Sequence, residues 1–356
     1  MRTLELKLAK PYSIYIDRGA LLEAGSKIRA ILPGKKVAVV SDETVWSLHG
    51  AALEKVLNTE KIVFNTVVVP AGESSKSLSM LNFLYHEFCR FELRRDGAII
   101  AFGGGVAGDL AGFAASTYMR GIGFVQIPTS LLAQVDSSVG GKVAVNLEEG
   151  KNLVGNFYQP QMVIADTGLL STLSPGEFAS GMAEVVKYAA IGNSRLLSVL
   201  EEQSALDSKL EEIVFLCCES KAAYVEKDER DTGPRMMLNF GHTFGHAIEK
   251  FYAYKKYNHG EAVAIGMMLA VRTGILLGKT KPETYPRLKS LLETFNLKTK
   301  LDDTDGSLYE ILPHIAGDKK NSGSEITLVL LDEIGSPFIH KMNLNKLIEL
   351  LTGSNS

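Results

Sequence analysis

Cysteine is scarce in this chain. Three residues in 356, Cys89, Cys217 and Cys218, cannot build a disulfide framework, and the adjacent pair has no metal-motif spacing. Two neighbouring cysteines fit a buried helix better, since free cysteine is among the most buried residue types. A reducing compartment is the simpler expectation. An excess of charge of one sign is also missing: the net charge of -3 gives no electrostatic reason to expect a nucleic-acid partner. No apolar run reaches the about 20 residues that a bilayer span requires. Met1 to Asp17 alternates charged and apolar residues without the apolar core of a signal peptide. These absences together predict a soluble cytoplasmic protein with no membrane partner. There is no internal repeat, and the one low-complexity stretch, Thr352 to Ser356, is expected to fray.

What is present is a composition ordinary for a globular chain, 46% hydrophobic and 22% charged, at a length that suggests about two domains. In the first half, short apolar runs end at glycine, proline or aspartate: Val37 to Ser41 before Asp42, Ile62 to Val69 before Pro70, Ala98 to Phe102 before glycines, Phe124 to Ile127 before Pro128, and Met162 to Ala165 before Asp166. Periodic stretches such as Ser77 to Phe88 separate several of them. This alternation predicts an α/β domain with a parallel sheet covered on both faces. Ligands of such sheets bind outside the carboxyl ends of the strands. After about Leu173 the apolar residues recur at three- and four-residue intervals. Pro175 to Ile191, Ser194 to Leu206, Lys209 to Lys227, Thr243 to Tyr252, Glu261 to Leu277 and Glu283 to Phe295 read as helices. Glu325 to Leu331 reads as one strand, with a partner near Phe338 to His340. The boundary is expected where Ser-Thr-Leu-Ser-Pro-Gly opens a capped helix, giving domains 1–172 and 173–356.

The polar residues gather at strand ends and helix starts. Phe-Gly-Gly-Gly-Val-Ala-Gly-Asp (Phe102 to Asp109) is not a Gly-x-Gly-x-x-Gly fingerprint. It does follow a strand and precede an apolar helix, where glycine lets backbone N–H groups approach a pyrophosphate. Asp42 either accepts from ribose hydroxyls or caps the next helix, and the two are weighted equally. Glu73 and Lys76 lie in a loop at another strand end. Arg120, Lys142 and Lys151 stand in glycine-rich segments, a pattern that fits anion binding better than solvated surface. Glu184 and Lys187 share a helix face among small and apolar neighbours. His242 and His246, four apart, could chelate one ion together, or His242 could pair with the remote His259. Two imidazoles and a carboxylate suit a divalent zinc-like ion with positions left open for substrate. Spacing alone prefers the adjacent pair, while His-Gly-Glu at another helix start suits the remote one.

The segments carry a further signal when taken in order. Gly-Glu-Ser-Ser-Lys-Ser, Gly-Gly-Gly-Val-Ala-Gly-Asp, Tyr-Met-Arg-Gly, Val-Asp-Ser-Ser-Val-Gly-Gly-Lys, Gly-Lys-Asn-Leu-Val-Gly, Gly-Met-Ala-Glu-Val-Val-Lys, Gly-His-Thr-Phe-Gly-His-Ala, His-Gly-Glu-Ala-Val and Asp-Lys-Lys resemble the 3-dehydroquinate synthase family over nearly the whole chain. The resemblance implies an N-terminal nucleotide-binding α/β domain, a mostly helical C-terminal domain, an active site in the cleft between them, and a homodimer. It implies NAD and one divalent metal, zinc or cobalt, as cofactors. By motif, the metal ligands are Glu184, His242 and His259, and His246 becomes a substrate and proton-transfer group. NAD is expected to contact Glu73, Lys76, Gly104, Gly105, Val106, Asp109, Thr129, Ser130, Lys142 and Lys151, with Leu169, Leu170, Ser171 and Thr172 nearby. The anionic sugar phosphate substrate is expected to contact Arg120, Asp136, Lys142, Asn152, Lys187, Lys221, Arg235, Asn239, His246 and Lys319, the last preferred over Lys320. Two departures are small: Ser130 completes what is often a threonine pair, and Val143 stands where threonine is common. The implied reaction converts 3-deoxy-D-arabino-heptulosonate 7-phosphate to 3-dehydroquinate and phosphate. The competing readings are a related cyclase such as 2-deoxy-scyllo-inosose synthase and a metal-dependent polyol dehydrogenase.

Overall fold

Residues of alternating strand faces are buried on both sides, and this sets the architecture of the first part of the chain. In the strand Val37–Asp42, Ala38 and Val40 join one apolar cluster with Leu110, Phe113 and Phe124, while Val37 and Val39 join another with Leu53, Leu57 and Phe102. A strand with two dry faces reads as a nearly continuous apolar run, as in parallel sheets. The computed structural model describes residues 1–202, 206–302, 306–315 and 325–353. Its strands are β1 (Arg2–Leu6), β2 (Tyr12–Asp17), β3 (Val37–Asp42), β4 (Phe64–Val69), β5 (Ala98–Gly103), β6 (Gly123–Pro128), β7 (Lys142–Leu147), β8 (Gly150–Phe157), β9 (Met162–Asp166), β10 (Glu325–Leu331) and β11 (Pro337–Asn343).

Seven strands form one sheet in the order β1-β2-β9-β6-β5-β3-β4. All its pairings are parallel except that of the edge strand β1 with β2. β3 pairs with β4 on one side and with β5 on the other. The strand order therefore reverses between β3 and β5, and the crevice beyond their carboxyl ends is where ligands of open α/β sheets bind.

Contacts divide the chain into one unit of Met1–Phe178 with Asp207–Arg230 and a second of Ala179–Leu206 with Asp231–Ser356. The division is discontinuous, whereas the sequence reading had a single cut at 172/173. The helix Leu206–Lys227 carries the buried Cys217 and Cys218. It belongs with the sheet: the Cys218 thiol donates to the Gln134 carbonyl oxygen (3.3 Å) and Lys221 reaches Asp136 (2.9 Å). The second unit is built on the helices His242–Phe251, His259–Leu276 and Thr284–Thr294, with most of Pro175–Ala190 and the antiparallel hairpin β10–β11. No helix among the described residues is long and apolar enough to cross a membrane.

Lys142 and the Gly150–Leu153 stretch, read from sequence as parts of glycine-rich loops, lie in an antiparallel hairpin of β7 and β8. β8 is exposed along most of its length, so it lacks the apolar alternation that would have marked it as a strand.

Candidate active site

In the first unit, the turn after β5 faces the end of β3. A Cβ on Gly103 would lie 2.7 Å from the Ala107 Cβ and 3.3 Å from an Asp42 oxygen, so only glycine fits. The helix Gly105–Thr117 starts there, with Gly104 as its N-cap. The Ser130 and Ser137 hydroxyls lie against Gly104 and Gly105, and the Thr129 N–H donates to the Gly103 carbonyl oxygen (3.0 Å). Asp42 caps the next helix, accepting from the N–H groups of Thr44 and Val45 (3.0 Å each). Of its two sequence readings, the structure shows the cap.

A second cluster surrounds the buried Lys76. Its ammonium contacts Asp109 (2.7 Å), Asn152 Oδ1 (2.5 Å) and, farther off, Glu73 (3.7 Å). Burial lifts the Asp109 carboxyl above its ordinary range, and Lys76 pulls it back. Asn146, which sequence reasoning missed, ties this cluster together. Its amide donates to Glu73 (2.7 Å), its oxygen accepts the Asn152 N–H (2.9 Å), and its own N–H donates to the Lys76 carbonyl oxygen (2.8 Å). Asn152 is held at φ 58, a left-handed conformation that asparagine tolerates better than most residues. Asn152, expected among the substrate contacts, thus sits with the Glu73–Lys76 group. Asp136 and Lys221 pair with each other. Arg120 is exposed. Lys142 opens β7 and Lys151 lies in β8. Leu169 and Leu170 are buried in the turn Thr167–Thr172, and the Thr172 hydroxyl meets His49 (2.9 Å).

In the second unit, three groups converge. Glu184 is fully buried and ion-paired with the buried Lys187, one helical turn on. His242 Nε2 lies 3.3 Å and His259 Nε2 3.5 Å from Glu184 Oε1. One ligand atom from each of the three residues lies within 4.8 Å of the others. His246 is not in this group. Its ring stands 5.5 Å from that of His242 and 6.4 Å from that of His259, and it lines a cavity of about 350 Å³ with Asn239, His242, Thr243 and His314. His314, whose ring packs against Phe251 (5.6 Å), is a lining residue the sequence did not single out. Arg235 is buried in the turn Pro234–Asn239 that also carries Asn239. Lys319 and Lys320 lie outside the described residues.

Helix starts explain the convergence. Gly241, at φ 80, caps the helix that begins with His242. An Asn258–Glu261 capping box fixes the helix that begins with His259. Both imidazoles are therefore aimed from first turns. The charge balance suits a cation. Burial alone would raise the Glu184 carboxyl, but Lys187 and the two histidines outweigh it and hold it well below the usual carboxylate range. Lys187 holds Glu184 Oε2, and Oε1 faces the two imidazole nitrogens. A buried, ionised carboxylate facing two imidazole nitrogens fits a divalent ion with open positions.

The two histidine helices touch through glycine. A Cβ on Gly266 would lie 2.1 Å from the Gly241 carbonyl oxygen and 2.8 Å from the Gly245 N. Gly266→Ala should gain about 1 kcal/mol of helix propensity but lose about 3 kcal/mol to overpacking against backbone. A net destabilisation of about 2 kcal/mol in urea unfolding is expected, with weaker divalent-ion binding because His242 must shift. Unchanged unfolding would contradict the close packing.

Comparison with known proteins places this geometry in context. Residues 66–180 match the family model of the 3-dehydroquinate synthase N-terminal domain, and residues 181–321 that of its C-terminal domain. The 3-dehydroquinate synthase of Clostridium acetobutylicum is 44% identical over 347 residues, covering 96% of this chain and 97% of that protein. A structure of 2-deoxy-scyllo-inosose synthase complexed with carbaglucose-6-phosphate, NAD+ and Co2+ shares the fold. Its TM-score is 0.87 at 24% identity, over 99% of this chain and 100% of that one. The 2-epi-5-epi-valiolone synthase of Streptomyces hygroscopicus, solved with NAD+ and Zn2+ bound, has a TM-score of 0.82 at 25% identity over 99% of both chains.

Proposed function

The chain belongs to the 3-dehydroquinate synthase family and carries out that family's cyclising reaction; on that premise we propose how its residues perform it. The substrate is 3-deoxy-D-arabino-heptulosonate 7-phosphate and the products are 3-dehydroquinate and phosphate. A ring hydroxyl is transiently oxidised, phosphate is eliminated, the oxidation is reversed, the ring opens and an intramolecular aldol step closes the carbocycle. The reaction is thus a carbon–oxygen lyase reaction dependent on NAD and one divalent ion, zinc or cobalt. When bound, NAD supplies the reversible redox chemistry and the ion the Lewis acidity. The proposed assembly is a homodimer.

The observation that carries this reading is the meeting of Glu184 with the Nε2 atoms of His242 and His259, beside a cavity lined by Asn239 and His246. Glu184, His242 and His259 hold the ion. In the first unit, Glu73, Lys76, Asp109 and the Gly104–Gly105 turn hold the dinucleotide, with Thr129, Ser130 and Lys151 beside them. The buried Arg235 guanidinium and Asn239 receive the substrate carboxylate, for which a planar fork of donors is well suited. Arg120, Lys142 and Lys221 hold anionic oxygens of the substrate, and Asp136 orients Lys221. His246 moves the proton from the carbon beside the transient ketone and returns it to a later oxygen. Excluding water from these groups protects the reactive intermediates.

The substrate carboxylate separates this reading from that of 2-deoxy-scyllo-inosose synthase, whose substrate has none. A site built to bond a polar group rejects an analogue lacking it by about 10⁴-fold. With NAD and zinc supplied, phosphate release from the heptulosonate phosphate should exceed that from glucose 6-phosphate by that order. Comparable rates on both would move the assignment to the other cyclase.

A further inference from the structure

The two histidines facing Glu184 are backed by different groups. His242 turns Nδ1 toward the Phe240 carbonyl oxygen (3.2 Å). His259 turns Nδ1 toward Oε1 of Glu249 (3.5 Å). Glu249 lies on the helix His242–Phe251, seven residues after His242 and so on the same face. Only 6% of it is exposed, and glutamate is rarely buried to that degree without a partner.

We propose that Glu249 is a positioning residue of the ion site, acting through His259. Its carboxylate accepts the Nδ1–H of His259, which leaves the lone pair on Nε2, the nitrogen that faces Glu184 (3.5 Å). A carboxylate behind a ligating imidazole fixes the tautomer and ring orientation and makes the free nitrogen a stronger donor. The Phe240 carbonyl oxygen fixes the His242 tautomer in the same sense, but as a neutral acceptor. The two imidazoles are therefore not equivalent: His259 is the more strongly donating ligand, and Glu249 is the reason. The inference rests on Glu184, His242 and His259 being the ion site.

The test measures Zn2+ and Co2+ affinity by chelator competition, without NAD or substrate, in the parent, His259→Ala, Glu249→Gln, Glu249→Leu and His259→Ala/Glu249→Gln proteins. Supporting residues of this kind are worth about 10–100-fold in metal affinity. Glu249→Gln, which keeps an acceptor oxygen but loses the charge, should weaken binding about 10-fold, and Glu249→Leu about 100-fold. The visible spectrum of bound Co2+ should shift in both variants, and the thermal midpoint of the metal-free Gln variant should stay close to the parent's. In the His259→Ala background, Glu249→Gln should add no further loss, because its target is gone. Should Glu249→Leu not fold, the isosteric Gln variant carries the test. The proposal is overturned if Glu249→Gln binds both ions like the parent while His259→Ala does not. It is also overturned if the loss persists undiminished in the His259→Ala background, or if metal-free stability falls while the Co2+ spectrum is unchanged. Parental affinity in His259→Ala would instead remove the ion-site assignment itself, and this inference with it.

Discussion

Glu184→Gln is expected to be the most damaging single substitution in the chain, because it removes two functions at once. Glu184 is fully buried, and its ion-pair partner Lys187 is 1% exposed. Deleting one member of a buried pair leaves the other charge uncompensated in a dry site, at a cost of about 3–5 kcal/mol. The same change removes the carboxylate shared by His242 and His259. The variant should unfold at markedly lower urea, bind zinc and cobalt far more weakly than the parent, and release no phosphate. Stability and ion binding separate in a double variant. Glu184→Gln/Lys187→Met, which replaces the stranded ammonium by an apolar group of similar length, should regain much of the stability but none of the ion affinity. Recovery of both together would mean that the pair matters only for folding.

The next largest effect is expected at Lys76, the cation of the cluster near the glycine turn. Lys76→Met strands Asp109, at a cost of about 3 kcal/mol at neutral pH, and should abolish NAD binding measurable by fluorescence titration. Its pH dependence follows from the direction of the Asp109 shift. The folded carboxyl already titrates above the ordinary 3.8, through burial that Lys76 only partly offsets. Without Lys76 it titrates higher still. As pH rises from 3.8, the unfolded chain releases this proton first, so the folded state holds more protons and loses stability with each step. The stability gap between parent and variant should therefore be narrow near pH 4 and widest at pH 7. A gap independent of pH would show that Asp109 does not depend on Lys76.

Much of the fold was legible because burial on two faces leaves a strong signal. The runs of β3, β5, β6 and β9 are largely apolar and stop at glycine, proline or aspartate. The helices after residue 173 show their periods plainly. The missed elements lack that signal. β1, at the sheet edge, is mostly exposed, β2 is buried on one face only, and β8 is mostly exposed. The place of the helix Leu206–Lys227 in the first unit depends on contacts with residues such as Gln134 and Asp136, far away in sequence, and no local pattern encodes it. Spacing alone preferred His246 as the companion of His242, but the fold groups His242 with Glu184 and His259 and leaves His246 outside. Motif resemblance favoured His259, and it is His259 that the fold brings to Glu184. Asn146 and Glu249 were invisible for a different reason: each acts on a neighbouring side chain, and that neighbour is fixed only once the hairpin β7–β8 and the two histidine helices have formed.

On the proposed mechanism the enzyme is a cyclase in which NAD is a catalyst and is regenerated in every cycle. Elimination needs a ketone beside the carbon that loses its proton, yet the product ring is at the starting oxidation level, so the oxidation has to be undone before release. The direct measurement is phosphate released per NAD supplied, with reduced-cofactor absorbance followed in the same reaction. With one NAD per site, many phosphates should be released with no steady rise in that absorbance. One reduced cofactor accumulating for each turnover would contradict it and identify a polyol dehydrogenase instead.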